Sequence, residues 1–149
     1  MQTEANHQQT IDQLNSFLRG ELSALETYRQ ALDTVESVPH RSTLELCARS
    51  HQQRVELLRD EVSRRGGRPA EGSGAWGAFA KAVEGAAGVF GEKAAIAALE
   101  EGEDHGRDDY KRDIKKLDES ARVLIETRVL PEQKRTHDAI SALKKQLAS

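Results

Sequence analysis

The chain has one cysteine, three prolines and a single tryptophan in 149 residues, and it has no long apolar run and no excess of basic residues. Each scarcity excludes something. Cys47 alone cannot form an internal disulfide, and no redox or zinc motif surrounds it, so it reads as a small helix-packing residue. A formal net charge of -3 and a pI near 6.0 withhold the concentrated positive field that a nucleic-acid binder needs. The pairs Arg64-Arg65 and Lys115-Lys116 then read as solvated helix ends. Nothing approaches the apolar length that spans a bilayer, and the opening Met1-Gln2-Thr3-Glu4 has neither a basic region nor an apolar stretch, which points to a cytoplasmic protein without a membrane partner. No phosphate-cradling glycine loop follows a strand, no nucleophile elbow is present, and no serine, cysteine or histidine motif suggests acyl transfer. Whether the chain is an enzyme stays open.

What is present suits amphipathic helices: 37% hydrophobic and 32% charged residues, enough for one domain with a sizeable core. The prolines at 39, 69 and 131 and the glycine clusters divide the chain. Helix 1 is expected over about 10–35, helix 2 over about 41–65, helix 3 over about 92–117 and helix 4 over about 119–147. Gly66-Gly67 marks the end of helix 2, where a left-handed residue closes the last turn. Residues 66–91 hold eight glycines and form a long crossover. Within it Trp76, Phe79, Ala80, Val83 and Ala87 recur at helical spacing and predict a short helix. Lys81 and Glu84 balance its charge, which argues against a membrane-surface peptide. Trp76 and Phe79 offer apolar surface through which a homodimer could form. Pro131 either kinks helix 4 or opens a fresh segment at its first turn. The expected fold is all-α: a single four-helix bundle of two helical hairpins joined by a crossover.

Polar residues interrupt the core seams. Helix 1 places Leu14, Phe17, Glu21, Ala24, Tyr28, Leu32 and Val35 on one face, and helix 3 repeats the steps with Ile96, Leu99, Glu103, Gly106, Tyr110, Ile114 and Leu117. The offset from Glu21 to Glu103 and from Tyr28 to Tyr110 is 82 residues in both cases, so the hairpins look like copies of one unit. A buried, unpaired carboxylate costs several kcal/mol or takes up a proton, so each glutamate needs a compensating partner. The seam of helix 2, Leu44, Ala48, His51, Val55, Leu58 and Val62, supplies His51. In helix 4, counting by threes and fours through Leu130, Gln133, His137 and Ile140 supplies His137. Glu21, His51, Glu103 and His137 would suit iron, manganese or zinc. Hydrogen bonds from histidine and from Tyr28 and Tyr110 would equally satisfy the carboxylates with no metal. Reflecting Glu21 through the turn at 37–39 lands near Val55, roughly 6 Å along the helix from His51, and reflecting Glu103 through Asp118 lands near Lys134. Glu26, Glu45, Glu56, Glu126 and His105 stand nearby as substitute ligands, mostly off the seam, and His7 and His40 read as solvated ends.

This pattern resembles the ferritin-like and rubrerythrin-like superfamily, in which a glutamate on helices 1 and 3 is often followed by tyrosine seven residues later. More closely, Arg19-Gly20-Glu21-Leu22-Ser23-Ala24-Leu25-Glu26-Thr27-Tyr28, Gly102-Glu103-Asp104-His105-Gly106 and Gly74-Ala75-Trp76-Gly77 resemble an uncharacterised bacterial four-helix-bundle family that carries a domain-of-unknown-function label. The likeness covers nearly the whole chain. Di-iron members of the superfamily draw a Glu-x-x-His pair from each of helices 2 and 4, and here Ala48 and Lys134 stand at the glutamate positions, so both bridging carboxylates are missing. Two functions follow as expectations. One is a metal-binding bundle with a redox or stress-protective role, Glu21, His51, Glu103 and His137 as ligands and Tyr28 and Tyr110 supporting them. The other is a metal-free structural or interaction module, in which an inward Lys134 could replace the metal's charge.

Overall fold

The computed structural model describes residues 2–73 and 91–148. Within them the chain is all-helical, with no strand. Helix α1 spans Gln2–Thr34 and α2 spans Val38–Arg64. Helix α3 spans Glu92–Asp113 and tightens into a 3₁₀ turn at Ile114–Lys116. A fourth rod, α4, covers 119–148 as an α-helix Glu119–Leu124, a π-helical turn Ile125–Val129 and an α-helix Leu130–Ala148. The short helix expected around Trp76 to Ala87, and the dimer contact drawn from Trp76 and Phe79, lie outside the described residues.

Local chemistry explains the boundaries. Pro39 sits in the first turn of α2, where its missing N–H has no intrahelical partner to lose, so the helix begins ahead of residue 41. At the other end Gly66 takes φ +85°, and Gly66 and Gly67 donate to Ser63 O and Val62 O, closing the last turn. Gly67 also lies against α1, since a Cβ there would stand 2.6 Å from Ile11 Cγ2. Asp118 caps α4 by accepting from Ala121 N at 2.9 Å. It also takes a two-pronged ion pair from Arg65, which ties the end of α2 to the start of α4. Pro131 does not split the rod. Its ring would collide with the carbonyl four residues back, and the widened π turn directly before it absorbs that conflict.

The core falls into two apolar halves. One gathers Leu14, Phe17 and Leu18 with Leu58, Val62, Ile125 and Val129. The other gathers Ala31, Val35, Leu44, Ile96, Leu99, Ile140 and Leu143. Following the chain, α1 and α4 pass from the first half to the second while α2 and α3 pass from the second to the first. Each buried leucine or isoleucine contributes about 1.5–3 kcal/mol by leaving water. Between the halves every helix carries buried polar groups: Glu21 on α1, Ser50, His51 and Arg54 on α2, Glu103 on α3, Gln133 and Thr136 on α4.

Candidate functional site

That polar belt is one connected cluster. The His51 ring lies between the two carboxylates, with Nδ1 2.6 Å from Glu21 Oε1 and Nε2 2.8 Å from Glu103 Oε2. Tyr28 donates to Glu103 Oε2 at 2.5 Å, and Tyr110 donates to Glu21 Oε2 at 2.7 Å. The tyrosine of each hairpin therefore serves the glutamate of the other. Arg54, 2% exposed, sets Nη1 3.3 Å from Glu21 Oε2 and donates from Nη2 to Thr136 Oγ1 at 2.9 Å. Thr136 in turn donates its hydroxyl to Glu103 Oε1 at 2.9 Å. Gln133 donates to the backbone carbonyl of Glu103 at 3.1 Å. Rings flank the ion pairs: Tyr28 lies 5.1 Å from the His51 ring, and Phe17 lies 4.4 Å from that of Tyr110.

Proton positions follow from these contacts. Burial raises the Glu21 pKa, but Arg54 and His51 outweigh it and hold the carboxyl at about 2. Glu103 is likewise opposed by burial and ends below the usual carboxylate value, chiefly through His51. Burial and Arg54 push His51 toward neutrality, yet Glu103 and Glu21 prevail and its pKa ends raised. Burial also works against the Arg54 charge, and the two glutamates more than restore it. Burial first, then the neighbouring carboxylate, lifts both tyrosines well above their ordinary value, so their hydroxyls stay protonated and donate. An ionised carboxylate only accepts, so both His51 nitrogens donate and the ring is an imidazolium. Two carboxylates, one imidazolium and one guanidinium sum to zero charge. Such a cluster avoids the uncompensated buried charge that a lone glutamate would leave.

Glu21, His51 and Glu103 are thus brought together with Tyr28 and Tyr110. His137 is not. It lies on the next face of α4, half-buried, 2.6 Å from Asp104 Oδ1 and 3.2 Å from Arg107 Nη1. Stepping three rather than four residues from Gln133 reaches Thr136, and it is Thr136 that enters the core. The inward cation is Arg54 and not Lys134, which is exposed and pairs with Asp138 at 2.7 Å. Glu45, Glu56, His105 and Glu126 are exposed, and Glu26 accepts from Ser73 at the edge of the bundle. His40 is half-buried against Glu92, joining the starts of α2 and α3, whereas His7 reaches the Arg65 carbonyl from the surface. Cys47 is buried, and burial together with Glu103 raises its thiol pKa to about 11.

As arranged, these side chains do not fit a metal ion. A ligating histidine must offer a lone pair to the ion, and in this arrangement both nitrogens of His51 are engaged by Glu21 and Glu103 instead. Among the described residues no group of three or more His, Cys, Asp or Glu side chains could hold one. None of the described helices is long and apolar enough to cross a membrane.

A family model described as Domain of unknown function (DUF2383) matches residues 9–116, a stretch that holds Glu21, Tyr28, His51, Arg54, Glu103 and Tyr110 and stops short of α4. No curated protein and no solved structure matches the chain. Since that family model spans well over half its length, the chain belongs to the DUF2383 family.

Proposed function

We propose that this protein is a ferritin-like bundle that serves in the cytoplasm as a metal-free structural or interaction module, with Arg54 bringing to the buried carboxylates the positive charge that a metal would otherwise supply. The observation that carries the reading is the His51 ring, whose two nitrogens are both committed to Glu21 and Glu103 while Arg54 adds the second cation. The ferritin-like layout is supported by the chain directions of the four helices and by the glutamate–tyrosine pair repeated on α1 and α3. On this reading the partners are another protein or a second copy of the chain, and not nucleic acid or a membrane. The test is elemental analysis of protein incubated with iron(II), manganese(II) or zinc and then desalted. Substoichiometric metal is expected, and one bound ion per chain would sink the reading.

A second reading, a redox or stress-protective centre holding iron, manganese or zinc, draws on the convergence of Glu21, Glu103 and His51 from three helices. It requires His51 to lose a proton and Arg54 to leave Glu21. Metal uptake accompanied by stoichiometric proton release would favour it.

A further inference from the structure

Beside the ion cluster, where α1 meets α3, lies a partly open cavity of about 50 Å³ that reaches Glu21, Glu103 and Arg54 and is walled by the rings of Phe17 and Tyr110. We infer that it is a binding site for a small uncharged molecule bearing both a hydrogen-bond donor and an acceptor. The inference rests on the proposed function in one respect: the ligand is uncharged because the cluster it touches already sums to zero.

Three observations converge. The first is size. One water fills about 10–15 Å³ on this measure, so the space admits a molecule of about four heavy atoms. The second is the glycines Gly102 and Gly106, which line the cavity from within α3. Glycine is the least helix-favouring residue after proline, and close packing is one reason for its presence inside a helix. Here it does not, because a Cβ at either position would meet no atom within 4 Å. What the two glycines do is leave space beside the carboxylates. The third is unspent hydrogen-bonding capacity. Of the five N–H donors of Arg54, three have partners among the described residues: Nε with Ser50 O, Nη2 with Thr136 and Nη1 with Glu21. Among the described residues, two N–H groups on this buried side chain are left for an acceptor, and the carboxylate oxygens that accept a single hydrogen bond there, Glu21 Oε1 and Glu103 Oε1, retain room for a donor. A primary amide has both.

The test uses three probes of matched size, acetamide, acetone and acetate, titrated into the full chain while the backbone amide NMR signals of Gly20, Gly102 and Gly106 are followed. Acetamide is expected to shift them saturably and to bind at least about tenfold more tightly than acetone or acetate, the worth of one or two hydrogen bonds. The double variant Gly102→Ala, Gly106→Ala is expected to lose saturation while keeping its helical spectrum. Gly106→Ala alone replaces it if the double variant does not fold. A linear or absent response to acetamide, acetate binding as well as acetamide, or unchanged binding by the alanine variant would each overturn the inference. A protein that takes up no metal and ignores acetamide brings down this inference alone, whereas stoichiometric metal brings down the proposed function.

Discussion

At matched positions 82 residues apart, the two hairpins place Glu21 against Glu103 and Tyr28 against Tyr110, but His51 against Gln133 and Arg54 against Thr136. The acidic half of the cluster is duplicated and the basic half is not. Both cations come from α2, and α4 answers with a neutral amide and a hydroxyl. The difference shows how a bundle of two similar hairpins can carry two buried carboxylates without two copies of every partner, since one imidazolium placed between them serves both. It also makes the hairpins dependent on each other. Each glutamate takes its tyrosine hydroxyl from the opposite hairpin, and the repeat-related Arg54 and Thr136 bond directly to one another.

The comparison breaks most severely at Arg54. Arg54→Met, which keeps volume and removes charge, is expected to cost about 3–5 kcal/mol in chemical denaturation because Glu21 and Glu103 then face one cation. A loss under about 1 kcal/mol would mean that the glutamates are not held as anions.

Acidity attacks the duplicated half. Glu21 has its pKa lowered to about 2, so its contribution is present above the unfolded value of 4.5 and is lost as the pH falls toward 2. The expected decrease is about 3 kcal/mol over that window. His51 has the opposite sign. Its raised pKa makes its contribution complete below the unfolded value of 6.5 and lost as the pH climbs through the folded one. His51→Gln, which copies Gln133 into α2, should abolish that alkaline decline, and an unaltered pH–stability curve would contradict the imidazolium assignment.

The tyrosines test whether the pseudo-symmetry extends to energies. Tyr28→Phe and Tyr110→Phe each remove one hydroxyl from a carboxylate and should each cost about 1.5–3 kcal/mol. Unequal losses would show that Thr136 beside Glu103 and Arg54 beside Glu21 are not equivalent supports.

Least is expected of His137→Ala. Its partner Asp104 is 43% exposed, and such pairs are worth below about 1 kcal/mol. A loss above about 2 kcal/mol in chemical denaturation would return His137 to the cluster.

Much of this was legible in the sequence, but unevenly. The 3.6-residue stripes reveal four helices, and the stripes of α1 and α3 name Glu21, Tyr28, Glu103 and Tyr110 because a carboxylate or phenol among leucines is conspicuous. His51 stands out for the same reason. Arg54 does not, since arginine beside a seam reads as solvated side chain until tertiary contacts bury it. Two clues pointed there: reflecting Glu21 through the first turn lands beside it, and applying the 82-residue offset to α2 pairs His51 with Gln133 and Arg54 with Thr136. Steps of three and four residues are equally helical, so the stripe of α4 leads to His137 as readily as to Thr136, and nothing local chooses between them.

The sequence by itself determined the helical rods, their punctuation and the fact that two carboxylates had to be buried, because periodicity, capping and glycine chemistry act over a few residues. Only the tertiary structure decided which cations meet those carboxylates. That outcome depends on how α2 and α4 are rotated and shifted against α1 and α3, and side chains packing across four helices set it together.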